Sequence, residues 1–189
     1  MGKTYDKLDD QLIDFIKAQQ MFFVATAPLS GEGRVNLSPK GYDSFVVIDE
    51  TTVAWLDLGG SGIETMAHIK ENGRITIMFC AFEGKANIVR LYGSGEAVQL
   101  DDERFPGLLR LFPGFEKARA IVTVKLNRVS DSCGWGVPFY EYKGQREQLK
   151  RTWDHAYEQH GEAVDEQFYV SNAASIDGLP GMTKPQGTS

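Results

Sequence analysis

Apolar residues recur along this chain in two rhythms. Leu8, Leu12, Phe15 and Ile16 fall at i, i+4, i+7 and i+8. That spacing predicts a helix over residues 7–20 with one buried face, and Asp6 is the expected N-cap. From residue 21 the rhythm shortens. Residues 21–27 are apolar and β-favouring; Pro28 and the Ser30-Gly31-Glu32-Gly33 run form a turn, and residues 34–38 read as the hairpin partner. Short strands follow at 45–48 and 52–57, separated by Asp49-Glu50. The strand predicted at 74–82 keeps Ile75, Ile77, Phe79 and Ala81 on one face. Glu83-Gly84-Lys85 turns the chain into a strand from 86 to 92 that continues past Gly93 and Gly95 to Leu100. Glycine inside a strand pattern marks a bulge or a barrel corner. Residues 118–129 alternate, with Ala120, Val122, Val124 and Leu126 on one side and Thr123, Lys125 and Asn127 on the other.

Helices punctuate the strands. One is predicted at 63–72, stopped by Gly73 as its C′ residue. A short one is predicted within 101–112, starting at Pro106. A polar helix at 145–160 carries the stripe Leu149, Trp153, Ala156 and Tyr157, which packs it onto the body or a partner. Six or seven short strands joined by tight turns predict a mainly β fold, a closed or nearly closed antiparallel barrel, because closure removes exposed edges. The expected organisation is one domain over residues 1–170 and an extended or mobile tail over 171–189, rich in Gly, Pro, Ser and Thr.

Composition narrows the classes. The formal charge is −6 and the pI about 5.1. No Lys/Arg cluster points to nucleic acid or to anionic lipid. The first ten residues are polar, and the apolar runs at 21–25 and 77–82 are far too short to cross a bilayer. A cytoplasmic protein without membrane or nucleic-acid partners is expected. Two cysteines and three histidines without ligand spacing predict no metal site.

The candidate chemistry begins at Leu58-Gly59-Gly60-Ser61-Gly62, between a strand and a helix. A helix N-terminus presents free N–H groups to an anion, and glycines let the backbone approach it. Ser61 and Glu64 also have the spacing of a capping box, which would serve the helix instead. A second segment, Ser132 to Tyr140, sets Trp135 between two glycines; its indole either covers a flat ring or plugs the barrel and pads an interface. Cys133 has no adjacent cation and no CxxC partner, so a reactive thiolate is not expected. His68, His155 and His160 read as packing or surface residues.

Four stretches occur in order: Ser38-Pro39-Lys40-Gly41-Tyr42-Asp43, Val53-Ala54-Trp55-Leu56-Asp57, residues 69–79 (Ile-Lys-Glu-Asn-Gly-Arg-Ile-Thr-Ile-Met-Phe), and Arg90-Leu91-Tyr92-Gly93. Together they resemble the core of the pyridoxamine-5′-phosphate-oxidase-like flavoproteins, over about residues 22–100. The resemblance implies a six- to seven-stranded split β-barrel with flanking helices, and a homodimer holding FMN at its interface. Carried over, Lys40 would neutralise the FMN phosphate. Asn36, Leu37 and Ser38 would lie along the flavin, and Trp55 and Leu56 beside its ring. Ser61, Gly62 and Thr65 would meet the phosphate or ribityl chain. Arg90 would reach toward the other subunit's site, and Trp135 is a candidate cover for the ring.

The departures from the oxidase are specific. Its Ser-Arg-Lys phosphate clamp aligns with Ile63, Glu64 and Thr65, a flavin-contacting Gln aligns with Ile88, and its C-terminal Arg-Leu-x-Pro motif has no counterpart. Oxidation of pyridoxamine phosphate is therefore not expected. An FMN-dependent oxidoreductase acting on an unidentified small molecule is the leading expectation. A non-catalytic flavin, deazaflavin or haem binder, or a dimer acting through protein contacts, stays open.

Overall fold

The computed structural model describes residues 2–184. Helix α1 (Asp10–Lys17) opens the body and buries Leu12 and Ile16. Its N-cap is Asp9, whose carboxylate accepts from the Leu12 N–H at 2.8 Å. The expected cap, Asp6, lies three residues too early, because the Leu8 N–H is donated to the Glu50 carbonyl and the chain is still extended at Asp9.

The strands are β1 (Thr4–Tyr5), β2 (Phe22–Thr26), β3 (Asn36–Lys40), β4 (Phe45–Asp49), β5 (Thr52–Asp57), β6 (Arg74–Cys80), β7 (Ile88–Gln99) and β8 (Ala120–Ser132). They form one antiparallel sheet in the order β3-β2-β6-β7-β8-β5-β4, with the two-residue β1 paired to β8. The sheet curls into a half-barrel. Strands β3 and β4 end the path and do not pair, so the barrel is split, not closed. The curl is set in β7 and β8, where the register shifts between Tyr92 and Gly93. A Cβ at Gly93 would come within 2.3 Å of the Lys125 carbonyl oxygen, so only glycine lets the strands approach there.

Inward residues of the sheet alternate as the sequence predicts. Phe22, Phe45, Trp55 and Phe79 form an aromatic centre with ring separations of 5.0 to 6.2 Å. Leu8, Leu12 and Ile16 cover it. On the other face of β5, Ala54 and Leu56 pack with α3 (Phe105–Leu109) residue Phe105 and with Phe112. A third cluster joins α2 (Glu64–Asn72) to α5 (Ala163–Ser171) through Met66, Ala120, Val164 and Phe168.

Helix α4 (Gln148–His160) begins three residues later than expected and half-buries its predicted stripe. Helix α5 escaped the sequence reading. Beyond it, residues 172–184 are irregular but docked. Met182 is 3% exposed, its N–H is donated to the Asn172 carbonyl, and Lys70 donates to the Gly181 carbonyl. The rest of the expected tail, residues 185–189, lies outside the described residues.

Candidate functional site

The pleat of β3 puts Asn36, Ser38 and Lys40 on one face and Leu37 and Pro39 on the other. With Ser44, Leu56, Asp57, the loop 58–62, Thr65 and Leu149, the first face encloses a cleft of about 370 Å³. At residues 39–42 this cleft meets a larger groove of about 1080 Å³, lined by Phe23, Phe82, Tyr140, Tyr142 and Leu149. Tyr42 stands at the junction. It has a left-handed φ of 61°, a conformation costly for a bulky side chain, and its hydroxyl donates to the Arg146 carbonyl.

One wall is a chain of hydrogen bonds. The Ser38 hydroxyl donates to Asn36 Oδ1 at 3.0 Å, and Asn36 Nδ2 donates to Thr65 Oγ1 at 2.9 Å and Thr26 Oγ1 at 3.3 Å. Thr26 Oγ1 lies 3.0 Å from Nδ1 of the fully buried His68. Because the Asn36 amide occupies the Thr65 oxygen as an acceptor, the Thr65 O–H is left to donate elsewhere.

The floor is an ion pair. Arg119 Nη2 lies 3.1 Å from Asp57 Oδ2, with side chains 4% and 6% exposed. The same guanidinium donates to the Gly62 carbonyl at 2.7 Å and Asn172 Oδ1 at 2.7 Å, and reaches the Gly60 carbonyl at 3.5 Å. Burial pushes the Asp57 carboxyl up. The charges of Arg119 and Lys40, with hydrogen bonds from Arg119 and the Gly59 N–H, outweigh it and hold the pKa below its ordinary value. The pair is thus ionised and internally neutral. Lys40 is engaged in no ion pair among the described residues.

The capping box does not form. Helix α2 starts after Ile63, so Ser61 stands two residues before the cap position and no side chain caps the helix. The Glu64 carboxylate folds back beside Gly62 and accepts from the Ile176 N–H at 3.3 Å.

Of the residues singled out from the sequence, Asn36, Ser38, Lys40, Leu56, Ser61, Gly62 and Thr65 share this cleft. Four do not line it. Leu37 is on the opposite face of β3 and 64% exposed. The Trp55 indole is sealed in the aromatic centre, because β5 is covered on both faces and odd positions point into the barrel. Arg90 is on β7, donating to Ser132 Oγ. Trp135 is 86% exposed on a turn beyond β8. Sequence reasoning missed Asp57, Arg119 and Asn172. The first two carried a signal, a charge flanking an apolar strand, whereas Asn172 carried none.

Fold and site define a split-barrel protein with a polar cleft at the helix-α2 end of its sheet. The sequence profile of the pyridoxamine 5′-phosphate oxidase family matches residues 8–160. The pyridoxamine 5′-phosphate oxidase family protein ustO of Aspergillus flavus is 34% identical over 194 residues, covering 94% of this chain and 77% of that one. The chain belongs to this family. The fold is also similar to the crystal structure of HupZ from Group A Streptococcus, with a TM-score of 0.53 and 23% identity over 65% of this chain and 91% of HupZ. No described helix is long and apolar enough to cross a membrane.

Proposed function

We propose that this chain binds FMN in the cleft and works as an FMN-dependent oxidoreductase, as a homodimer in the cytoplasm. The observation that carries the reading is the cleft's polarity. Its lining gathers the hydroxyls of Ser38, Ser61 and Thr65 with the ammonium of Lys40, which has no ion-pair partner among the described residues, and at Lys40 it opens into an aromatic groove. That gradient suits a ligand with an anionic head and a flat apolar body. The residues fit the group even though the oxidase's Arg-Lys clamp is absent. Of the two carboxylates in the lining, Asp57 is paired with Arg119 and Glu64 accepts from the Ile176 N–H through Oε1, and the carbonyls of Gly60 and Gly62 face Arg119.

In this reading Lys40 holds the phosphate, with Ser61 and Thr65 donating to it. Asn36 and Ser38 meet the ribityl hydroxyls, and Leu56 supplies apolar floor. FMN, when bound, supplies two-electron transfer; the protein orients it and keeps water away. Family membership supports flavin binding. Leu37, Trp135 and Phe139 are exposed apolar residues that a second copy would cover.

A visible absorption spectrum of the purified protein, before and after addition of FMN and removal of the excess, tests the cofactor. A retained flavin spectrum supports it, and a colourless protein refutes it. Lys40→Ala is expected to weaken FMN binding by about tenfold or more, about 1.4 kcal/mol. Bleaching of the bound flavin by NADH or NADPH supports turnover, and a flavin that neither reduces assigns the protein to flavin carriage. Mass by light scattering tests the dimer.

A further inference from the structure

Arg119 and the segment after α5 serve the cleft without acting as ligands. Arg119 is buried beneath the loop 59–62 and bonds two of its carbonyls, those of Gly60 and Gly62. A trans peptide carries its C=O and N–H on opposite sides. Turning those two oxygens onto the guanidinium therefore removes two negative dipole ends from the path of an anion. It also turns the Ser61 and Ile63 N–H groups away from Arg119. Asp57 cancels the guanidinium's net charge, so Arg119 shapes the loop without adding a cation to the cleft.

What keeps the guanidinium in that orientation is the segment after α5. Asn172 Oδ1 accepts a hydrogen bond from Arg119 Nη1 at 2.7 Å, from a position that is 4% exposed. The Asn172 amide is fixed in turn by the Phe168 carbonyl. The same segment reaches two further parts of the site. The Ile176 N–H holds Glu64, and Asp177 accepts from the Arg34 N–H at 2.7 Å and pairs with its guanidinium, just before β3. The segment is stitched to itself by Met182 N–H to the Asn172 carbonyl and Gly181 N–H to the Ala173 carbonyl.

Resting on the FMN reading above, we infer that residues 172–182 are a clamp that preorganises the phosphate end of the cleft, with Asn172 and Arg119 as positioning residues. Through them the loop 59–62 is held with two of its carbonyls away from the ligand, so that Lys40 and uncharged donors serve where the oxidase uses an Arg-Lys clamp. The clamp acts on the phosphate end alone, so its loss weakens ligands that carry a phosphate more than those that lack it.

The test is a fluorescence titration of the full chain with FMN and with riboflavin, which differ only in the phosphate. Asn172→Leu removes the acceptor, and Arg119→Lys keeps the charge against Asp57 but not the fork that spans several oxygens. In both variants the ratio of FMN to riboflavin affinity is expected to fall about tenfold. An unchanged ratio overturns the clamp, whether both affinities hold or both fall together, since a general loss of structure would lower the two alike. If Asn172→Leu does not fold, Arg119→Lys decides the matter by the same ratio. Failure of the underlying reading looks different, because the wild-type chain would then bind no FMN.

Discussion

Replacing Asp57 by Asn separates the two duties of the buried ion pair. Asn keeps the shape of the side chain and can still accept from the Gly59 N–H, but leaves the Arg119 charge without its counter-ion in a site 4% exposed. Breaking one side of such a pair costs about 3–5 kcal/mol, because the surviving charge stays buried. For a chain of this length each kcal/mol lowers the melting temperature by roughly 2–4 °C, so a fall of roughly 6–20 °C is expected. Removing both charges, as Asp57→Leu with Arg119→Met, is expected to recover most of the loss, since no charge is then stranded. Lys7→Ala, which breaks an exposed pair with Glu50, is the control and is expected to leave the melting curve in place.

The pH dependence has a definite sign. The Asp57 pKa is lowered in the folded chain, so its contribution is full above its ordinary value of 3.8 and is lost as the pH falls through the lower folded value. The gap between wild type and Asp57→Asn should therefore hold through neutral and mildly acid pH and close only below that range. Thermal melts of the four proteins across pH provide the measurement. An Asp57→Asn protein as stable as the wild type, or a double variant no better than the single one, refutes the argument.

Gly59→Ala is expected to lower the melting temperature by several degrees: φ is 83°, and the new Cβ would come 2.7 Å from the Phe168 ring. Tyr157 should resist ionisation in a spectrophotometric alkaline titration. Burial first, then its hydrogen bond to Asp165 Oδ1 at 2.6 Å, raises its pKa well above 10.0. Its stabilising contribution is therefore full below pH 10.0 and is lost as the pH rises through the folded value; Tyr157→Phe should remove that late step. Trp135→Ala should leave the melting curve of the protomer little changed, since the indole is 86% exposed, but lower the dimer fraction seen by light scattering. An undisturbed mass removes Trp135 from the proposed interface.

Strands and helices were legible wherever local pattern decides them. The alternation from Ala120 to Asn127 marked β8, and the apolar positions 12 and 16 marked the buried face of α1, whereas Leu8, read as part of the same helix, is buried ahead of its cap. The left-handed Gly73 ended α2 where a C′ glycine should. The three-residue shift of the first cap came from a long-range bond, Leu8 N–H to the Glu50 carbonyl, which no local rule contains.

For the cleft, the same division holds. The sequence reading ends the hairpin-partner strand at residue 38 and sets Asn36, Leu37 and Ser38 together along the ligand; the pleat of β3 puts Asn36, Ser38 and Lys40 on one face and Leu37 on the other, while the glycine loop before α2 announced backbone able to approach a ligand. The sequence by itself thus determined the elements other than α5, the sheet-forming pattern, the family core and most of the cleft's rim, because those depend on neighbours a few positions apart. Tertiary structure alone decided that Trp55 faces the barrel interior, that the expected split falls between β3 and β4, and that Asp57, Arg119 and Asn172 meet under the loop. Those three residues are 62, 53 and 115 positions apart in pairwise separation, and an ion pair or a hydrogen bond across such distances exists only once the sheet has curled and α5 has docked.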